Sequence, residues 1–204
     1  MAHHLSLTLA KAGAVIVSGG AYGVDFYAHQ GALMAGGRTI AVLGCGLDIN
    51  YPAGNADMRR LIAKNGALLT EYPPGVTPMP RNFPIRNRLM AGLSLGTLVV
   101  EADIRSGSLI TAHCAADQGR DVFAVPGDEQ SEYFQGCRHL MEEGAKPVNC
   151  AYDVLAEYLT QYPHRLNLSV PGIYHEASGK EAVPYAAELP FTPVHSSGKI
   201  RRDL

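Results

Sequence analysis

The feature that most constrains the fold is a repeated alternation of short apolar runs with helix-like segments between residues 14 and 150. Continuous apolar strands that alternate with helices predict an α/β fold, in which a doubly wound, mostly parallel sheet has helices on both faces. The runs that predict strands are residues 14–18, 38–44, 67–72, 96–102 and 121–127. The segments that predict helices are residues 23–36, 56–66, 82–94, 109–118, 133–143 and 152–158.

Polar and glycine-rich residues follow each predicted strand. Right-handed crossovers bring the carboxyl ends of parallel strands to one edge of a sheet, and ligands bind at that edge. We therefore expect a binding site at the carboxyl edge. The segments that would form it are Ser18–Gly20, Gly44–Gly46, Glu71–Pro73, Glu101–Asp103 and Pro126–Gly127.

Composition limits the classes of protein that fit. Of the 204 residues 47% are hydrophobic and 18% are charged, which is typical of a globular chain. The apolar runs fall short of the roughly 20 residues that cross a bilayer, and the first residues make a poor signal peptide, so we expect no membrane association. The formal net charge of −2 gives no general attraction to nucleic acid, so any site for a polyanion must be local.

The four cysteines are scattered and show neither metal-ligand nor redox spacing. We interpret them as reduced thiols of a cytoplasmic protein and expect neither a metal site nor a cofactor. The composition changes near residue 160, where prolines begin to interrupt any periodicity. We therefore expect a domain over residues 1–160 and a proline-rich, extended or disordered tail over residues 161–204.

The first glycine loop, Ser18–Gly20, stands between a predicted strand and a predicted helix. Backbone N–H groups at such a helix start can hold a phosphate, although a tight turn also explains the glycines. The spacing is not the dinucleotide fingerprint. Asp25 and His29 lie four residues apart on the helix and suit a hydrogen-bonded pair; without a nucleophile beside them we expect no catalytic residues.

The segment from Arg81 to Arg88 is the most informative. Guanidinium groups bind phosphate in a two-pronged geometry, and Phe83 could stack on an unpaired base. Arg86 and Arg88 lie in the first turn of a predicted helix, where they oppose the helix dipole, and this mismatch favours an anionic ligand. Ordinary solvated arginines and a core phenylalanine are the alternative.

A third loop, Arg105–Ser108, adds one positive charge and the hydroxyl and N–H donors of Ser106, Gly107 and Ser108 at another helix start. Between Val76 and Ile110 four arginines face two acidic residues, which gives a local charge of +2. A basic carboxyl edge is therefore compatible with a chain that is slightly acidic as a whole.

Taken together, seven motifs in order resemble the DNA-processing protein A (DprA/Smf) family over roughly residues 12–150. The motifs are VSGGAYGVD followed by AH, TIAVLGCGLD followed by YP, GALLTEYPPG, FPIRNRLMAGLS, LVVEADIRSGSLITA, VFAVPG and GCRHLMEEGA. The seven motifs in this order are specific to the family, whereas any one motif alone would be weak evidence for it.

The resemblance implies a Rossmann-like domain that binds single-stranded DNA, protects it during natural transformation and loads a RecA-type recombinase on it. It also implies a homodimer without enzymatic activity. Carried over by motif, the expected DNA-binding residues are Ser18, Gly19, Gly20, Phe83, Arg86, Asn87, Arg88, Ser106, Gly107 and Ser108. Tyr22 stands where the family usually has arginine, so one phosphate contact would be either lost or replaced by stacking. Arg105 adds a local charge.

Two further departures concern the ends of the family pattern. The family's first strand and its Gly-Ser-Arg loop would precede Met1, so we expect the sheet to lack that strand and one DNA-binding arginine. Three alternatives would explain why this strand is lacking: the chain is a fragment, its start is misassigned, or it is naturally truncated. The winged-helix domain that often ends family members has no counterpart in the tail.

Two other functions fit less well. A nucleotide hydrolase on a related sheet would carry a Pro-Gly-Gly-x-Gly-Thr run followed by Glu. The only Gly-Thr here is Gly96-Thr97, which enters a strand rather than following one. A truncated, non-functional family member is the other alternative.

Overall fold

The structure, a computed structural model, describes residues 1–128 and 130–174. Helices and strands alternate along these residues, which confirms the predicted α/β class. The helices are α1 (Ala2–Lys11), α2 (Val24–Met34), α3 (Ala56–Asn65), α4 (Asn82–Leu93), α5 (Gly107–Asp117), α6 (Gln135–Glu142) and α7 (Ala151–Leu155). The strands are β1 (Ile16–Ser18), β2 (Thr39–Val42), β3 (Ala67–Leu69), β4 (Gly96–Val99), β5 (Asp121–Ala124) and β6 (Lys146–Pro147).

All strand pairs are parallel, but they form two sheets of three strands in the orders β1-β2-β3 and β4-β5-β6. The expected single sheet is thus divided between β1 and β4.

Both faces of the second sheet are covered, as the alternation of side chains along β5 shows. Phe123 and the following Val125 pack with residues of α1 and α7, whereas Ala124 packs with residues of α5 and α6. Since successive side chains of a strand point to opposite faces, helices lie on both sides of this sheet. In the first sheet, Ala41 of β2 packs with residues of α2 and α3.

Most of the predicted helices and strands are present but are shorter than predicted. Strand β6 was not predicted. It consists of Lys146–Pro147 only, and its register pairs Phe123 with Lys146. A two-residue strand that contains proline has no periodicity to detect, and it lies at the edge of its sheet, where proline is tolerated.

The expectation that the chain is extended or disordered from residue 161 is wrong for residues 161–174. Val170 and Ile173 are buried in the cluster that contains α1 and α7. The Asn167 N–H donates to Ala12 O (2.9 Å), and the Tyr152 N–H donates to Ile173 O (3.0 Å). This segment therefore belongs to the core. The rest of the predicted tail, residues 175–204, lies outside the described residues.

Among the helices that the structure describes, none is both long enough and apolar enough to cross a membrane.

Candidate functional site

Side chains from two segments, α4 and the residue that follows β3, hold together the carboxyl edge of the first sheet. Arg86 of α4 donates from Nη1 to Gly19 O (2.8 Å) after β1 and also to Val42 O at the end of β2. The Thr70 hydroxyl, after β3, donates to Cys45 O (2.9 Å). Asn82 Nδ2 donates to Gly44 O (2.8 Å) and so fixes the start of α4. Three of the predicted segments therefore meet, as expected.

The first glycine loop is ordered by a carboxylate of the protein itself. Asp25 accepts a hydrogen bond from the Ser18 hydroxyl (2.6 Å) through Oδ1 and from the Ala21 N–H (3.1 Å) through Oδ2. Gly19 and Gly20 are buried. Two of the donors that could hold a phosphate are thus occupied by Asp25, so Ser18, Gly19 and Gly20 act here as the frame of the loop.

Arg86 does not point outward, and the expectation of an exposed guanidinium at this position is wrong. The residue is 5% exposed, and its Nε donates to Asn87 Oδ1 (3.2 Å). Burial lowers the pKa of Arg86, while the nearby Asp25 opposes that shift. The positive charge that opposes the dipole of α4 is therefore balanced from within the protein, by Asp25 and by backbone carbonyl oxygens.

Gly19 is required by close approach rather than by its backbone angles. A Cβ at this position would lie 2.6 Å from Arg86 Nη2 and 2.7 Å from Asp25 Oδ2. Only a residue without a side chain leaves room for Arg86 and Asp25 in these positions.

Asn87 joins α4 to the third loop. It is buried, and its Nδ2 donates to Gly107 O (3.2 Å). Ser106 is the N-cap of α5; its Oγ accepts from the Ser108 N–H and lies 2.8 Å from Ser108 Oγ. The predicted second and third loops are thus in contact, although Asn87 serves as a link between them rather than as an exposed donor.

Three arginines near this edge are exposed. Arg88 Nη2 lies 2.5 Å from Glu71 Oε2, with both side chains about half exposed (51% and 46%). Such a surface pair is worth only about 0.2–1 kcal/mol, so another anion can compete for Arg88. Arg81 and Arg105 are exposed and form no salt bridge with the residues that the structure describes.

Aromatic rings lie beside these charges. Phe83 is half-buried, with its ring against Gly44 and its centroid 5.7 Å from that of Tyr51. The small pocket between them has a volume of about 10 Å³, which is too small for a base. Tyr51 (39% exposed) and Tyr22 (60% exposed) present more ring surface, and the Tyr22 hydroxyl accepts from the Gly54 N–H (3.1 Å).

His29 takes no part in this edge. Its Nδ1 lies 2.7 Å from Thr39 Oγ1, so it does not form the expected pair with Asp25, which bonds to Ser18 and Ala21. Burial lowers the pKa of His29 to about 4. Its ring is therefore a neutral part of the packing between α2 and β2.

Within the described residues, no three His, Cys, Asp or Glu side chains cluster as metal ligands would. Two residues that sequence reasoning missed complete the edge. Tyr51 lies in the loop that follows β2. Arg59 is buried and donates to Leu47 O (3.1 Å) and Tyr51 O (3.4 Å), which supports that loop. The Tyr-Pro dipeptide at 51–52 was the only sequence signal.

The model of the family described as DNA recombination-mediator protein A matches residues 1–159. The DNA processing protein DprA of Streptococcus pneumoniae is 51% identical over 144 residues, which are 71% of this chain and 51% of that protein. The protein Smf of Escherichia coli is 49% identical over 149 residues, which are 72% of this chain and 40% of that protein. The chain thus spans about half or less of the length of these relatives.

A solved structure extends the comparison to three dimensions. That structure, of DNA processing protein A from Helicobacter pylori, concerns the single-stranded DNA binding mode of that protein. It is 36% identical in sequence and superimposes with a TM-score of 0.71. The match covers 79% of this chain and 73% of that chain.

Proposed function

This chain belongs to the DNA recombination-mediator protein A family, and we propose that it binds single-stranded DNA at its carboxyl edge. The observation that carries the proposal is the set of exposed guanidinium groups, Arg81, Arg88 and Arg105, beside exposed aromatic rings. Guanidinium groups bind phosphates, and rings stack on unpaired bases whatever their sequence. The DNA-binding mode of the related Helicobacter pylori protein supports this assignment.

The proposed contacts differ from those expected from the sequence in several respects. Arg81, Arg88 and Arg105 would contact phosphates, while Tyr22 and Tyr51 would stack on bases. The Phe83 ring would pack against the Tyr51 ring and hold it in position. Buried Arg86 and Asn87 would hold the surface in shape, as would Ser18, Gly19 and Gly20. Ser106, Gly107 and Ser108, at the start of α5, would add hydroxyl and N–H donors for a phosphate.

The test is a titration with a fluorescently labelled single-stranded oligonucleotide at several salt concentrations. We expect affinity to fall with salt, and replacement of Arg81, Arg88 and Arg105 by alanine to reduce the slope of log K against log salt by about 2, since each phosphate contact contributes about 0.7. Arg38→Ala is the matched control, because Arg38 is also exposed but precedes β2 at the opposite edge. Salt-independent binding, a preference for duplex, or an equal effect of Arg38→Ala would contradict the proposal.

We further propose that the protein protects this DNA and loads a RecA-type recombinase on it in the cytoplasm, as a homodimer and without catalysis of its own. Family membership supports this step. Assembly of recombinase on DNA coated with single-strand-binding protein should be faster when the chain is present. An unchanged assembly rate, together with intact DNA binding, would reject the loading role and leave the binding role standing.

A further inference from the structure

The start of helix α3 holds two loops of the carboxyl edge in place. Asn55, the N-cap residue of α3, is 4% exposed, and its Nδ2 donates to Gly20 O (3.1 Å) and Ala21 O (3.2 Å) of the loop after β1. One turn further along, buried Arg59 supports the loop after β2, which carries Tyr51. Both loops are therefore fixed to the same end of one helix.

The side chain of Asn55 is unusual for an N-cap residue. Asparagine is among the preferred residues at this position, where its side-chain oxygen normally accepts a hydrogen bond from a backbone N–H in the first turn of its own helix. Asn55 forms no such bond with α3. Its amide group instead donates to Gly20 O and Ala21 O. The side chain thus orders the neighbouring loop rather than its own helix.

The preceding residue, Gly54, holds the ring of Tyr22. The Gly54 N–H donates to the Tyr22 hydroxyl (3.1 Å), and a Cβ at residue 54 would lie 2.8 Å from that hydroxyl oxygen and 3.4 Å from the ring carbon Cε1. Only glycine lets the ring approach this closely. The ring nevertheless remains largely exposed. Tyr51 lies three residues before Gly54, so both exposed rings border residues 51–54.

We propose that Gly54 and Asn55 are positioning residues for the Tyr22 ring in the binding of single-stranded DNA. Asn55 fixes the loop that carries the ring, and Gly54 fixes the ring itself beside Tyr51. Ordering a side chain before binding raises affinity, because its conformational freedom is already lost when the base arrives. The inference rests on the proposed function and adds to it the residues that set the place of one stacking ring.

A double-mutant cycle tests whether Asn55 acts through Tyr22. Asn55→Ser removes both bonds to the loop, since the serine side chain ends one atom earlier, while serine remains a good N-cap for α3. We expect this change to weaken binding of a labelled single-stranded oligonucleotide about tenfold, which is within the range for loss of one stacked ring. In the Tyr22→Ala protein the same change should weaken binding less than about twofold. The slope of log K against log salt should stay the same, since no phosphate contact is lost.

Gly54→Ala displaces the ring by a second route. The new Cβ would move the Tyr22 hydroxyl, and because the ring is largely exposed, it moves with little effect on Tm. We expect weaker binding here too, again only when Tyr22 is present, so this variant decides the matter even if Asn55→Ser lowers stability. Asn65→Ser is the matched control. Asn65 is exposed at the other end of α3 and bonds to Leu61 O of the same helix, so affinity should not change.

Equal losses of affinity with and without the Tyr22 ring would overturn the proposal, because they would show that Asn55 supports the edge as a whole. Full affinity of both Asn55→Ser and Gly54→Ala would overturn it as well. Each of these results requires an unmodified protein that binds single-stranded DNA, so the proposed function would remain. Failure of the unmodified protein to bind would instead reject the proposed function, and this inference with it.

Discussion

At the residue scale, buried Arg86 and nearby Asp25 organise the carboxyl edge of the first sheet. Arg86 joins the end of β1 to the end of β2, and Asp25 fixes the loop between β1 and α2. Removing Arg86 would leave the buried acceptors Gly19 O and Val42 O without their donor, and an unsatisfied buried group typically costs about 1–3 kcal/mol. Loss of DNA binding after substitution of Arg86 would therefore report on the fold of this edge, not on a phosphate contact.

Gly19 gives a direct test of this packing. We expect Gly19→Ala to lower the free energy of unfolding by about 1–3 kcal/mol, because the new Cβ would displace Arg86 and Asp25 from their present positions. Gly107→Ala is the matched control, since a Cβ there meets nothing within 4 Å and alanine favours the first turn of α5. Urea denaturation measures both. Equal stability of the Gly19→Ala variant and the unmodified protein would contradict the described geometry.

The same residues show why sequence reasoning reached only part of the site. A cation that opposes a helix dipole does indicate a nearby anion, and the inference from Arg86 was sound to that point. The anion proved to be Asp25, which lies 61 positions earlier in the chain, and the carbonyl partners are Gly19 and Val42. Contacts of such sequence separation leave no local pattern. Exposed Arg88, whose partner Glu71 is weakly held, fits the original interpretation better.

At the scale of elements, the contact between α2 and β2 depends on a neutral histidine. His29 is fully buried against Thr39, and burial lowers its pKa to about 4 from an ordinary value near 6.5. Between these two values the unfolded chain binds a proton that the folded chain does not. Stability is therefore complete above pH 6.5 and decreases as the pH falls toward 4.

We expect this group to contribute about 3 kcal/mol to the loss of stability between pH 6.5 and pH 4. His29→Gln should flatten that part of the stability profile, since glutamine does not titrate. His164→Gln is the control, because His164 is exposed and should leave the profile unchanged. Chemical denaturation at a series of pH values is the measurement. Parallel profiles for all three proteins would show that His29 is not the titrating group.

A helix or strand could be predicted from the sequence where its own residues show a clear apolar pattern. Strand β2, with Thr39 and three apolar residues, stands out in the sequence, and α3 ends near Asn65 as expected. The division between β1 and β4 is different, because it depends on which strands are neighbours in space. Apolar runs in a sequence do not show whether their edges are paired.

At the scale of the whole molecule, the core extends further along the chain than composition suggested. The prolines predict irregular structure for residues 161–174, and the structure there consists mainly of turns. Turns can nevertheless place apolar side chains in a core. Ile173 is 2% exposed and packs in the cluster that also contains Leu5, Phe123 and Leu155. The apolar core therefore includes side chains as far along the chain as Ile173.

Replacement of Ile173 tests that boundary. We expect Ile173→Ala to lower the free energy of unfolding by about 2–5 kcal/mol, the usual range for a fully buried isoleucine. Ile85→Ala is the matched control, since Ile85 is 51% exposed on α4 and should change stability by less than about 0.5 kcal/mol. If the segment were a detachable tail, the two variants would have equal stability. Because Ile173 packs in the same cluster as Leu5 and Leu9 of α1, a large loss there would show that residues 161–174 unfold together with the rest of the core.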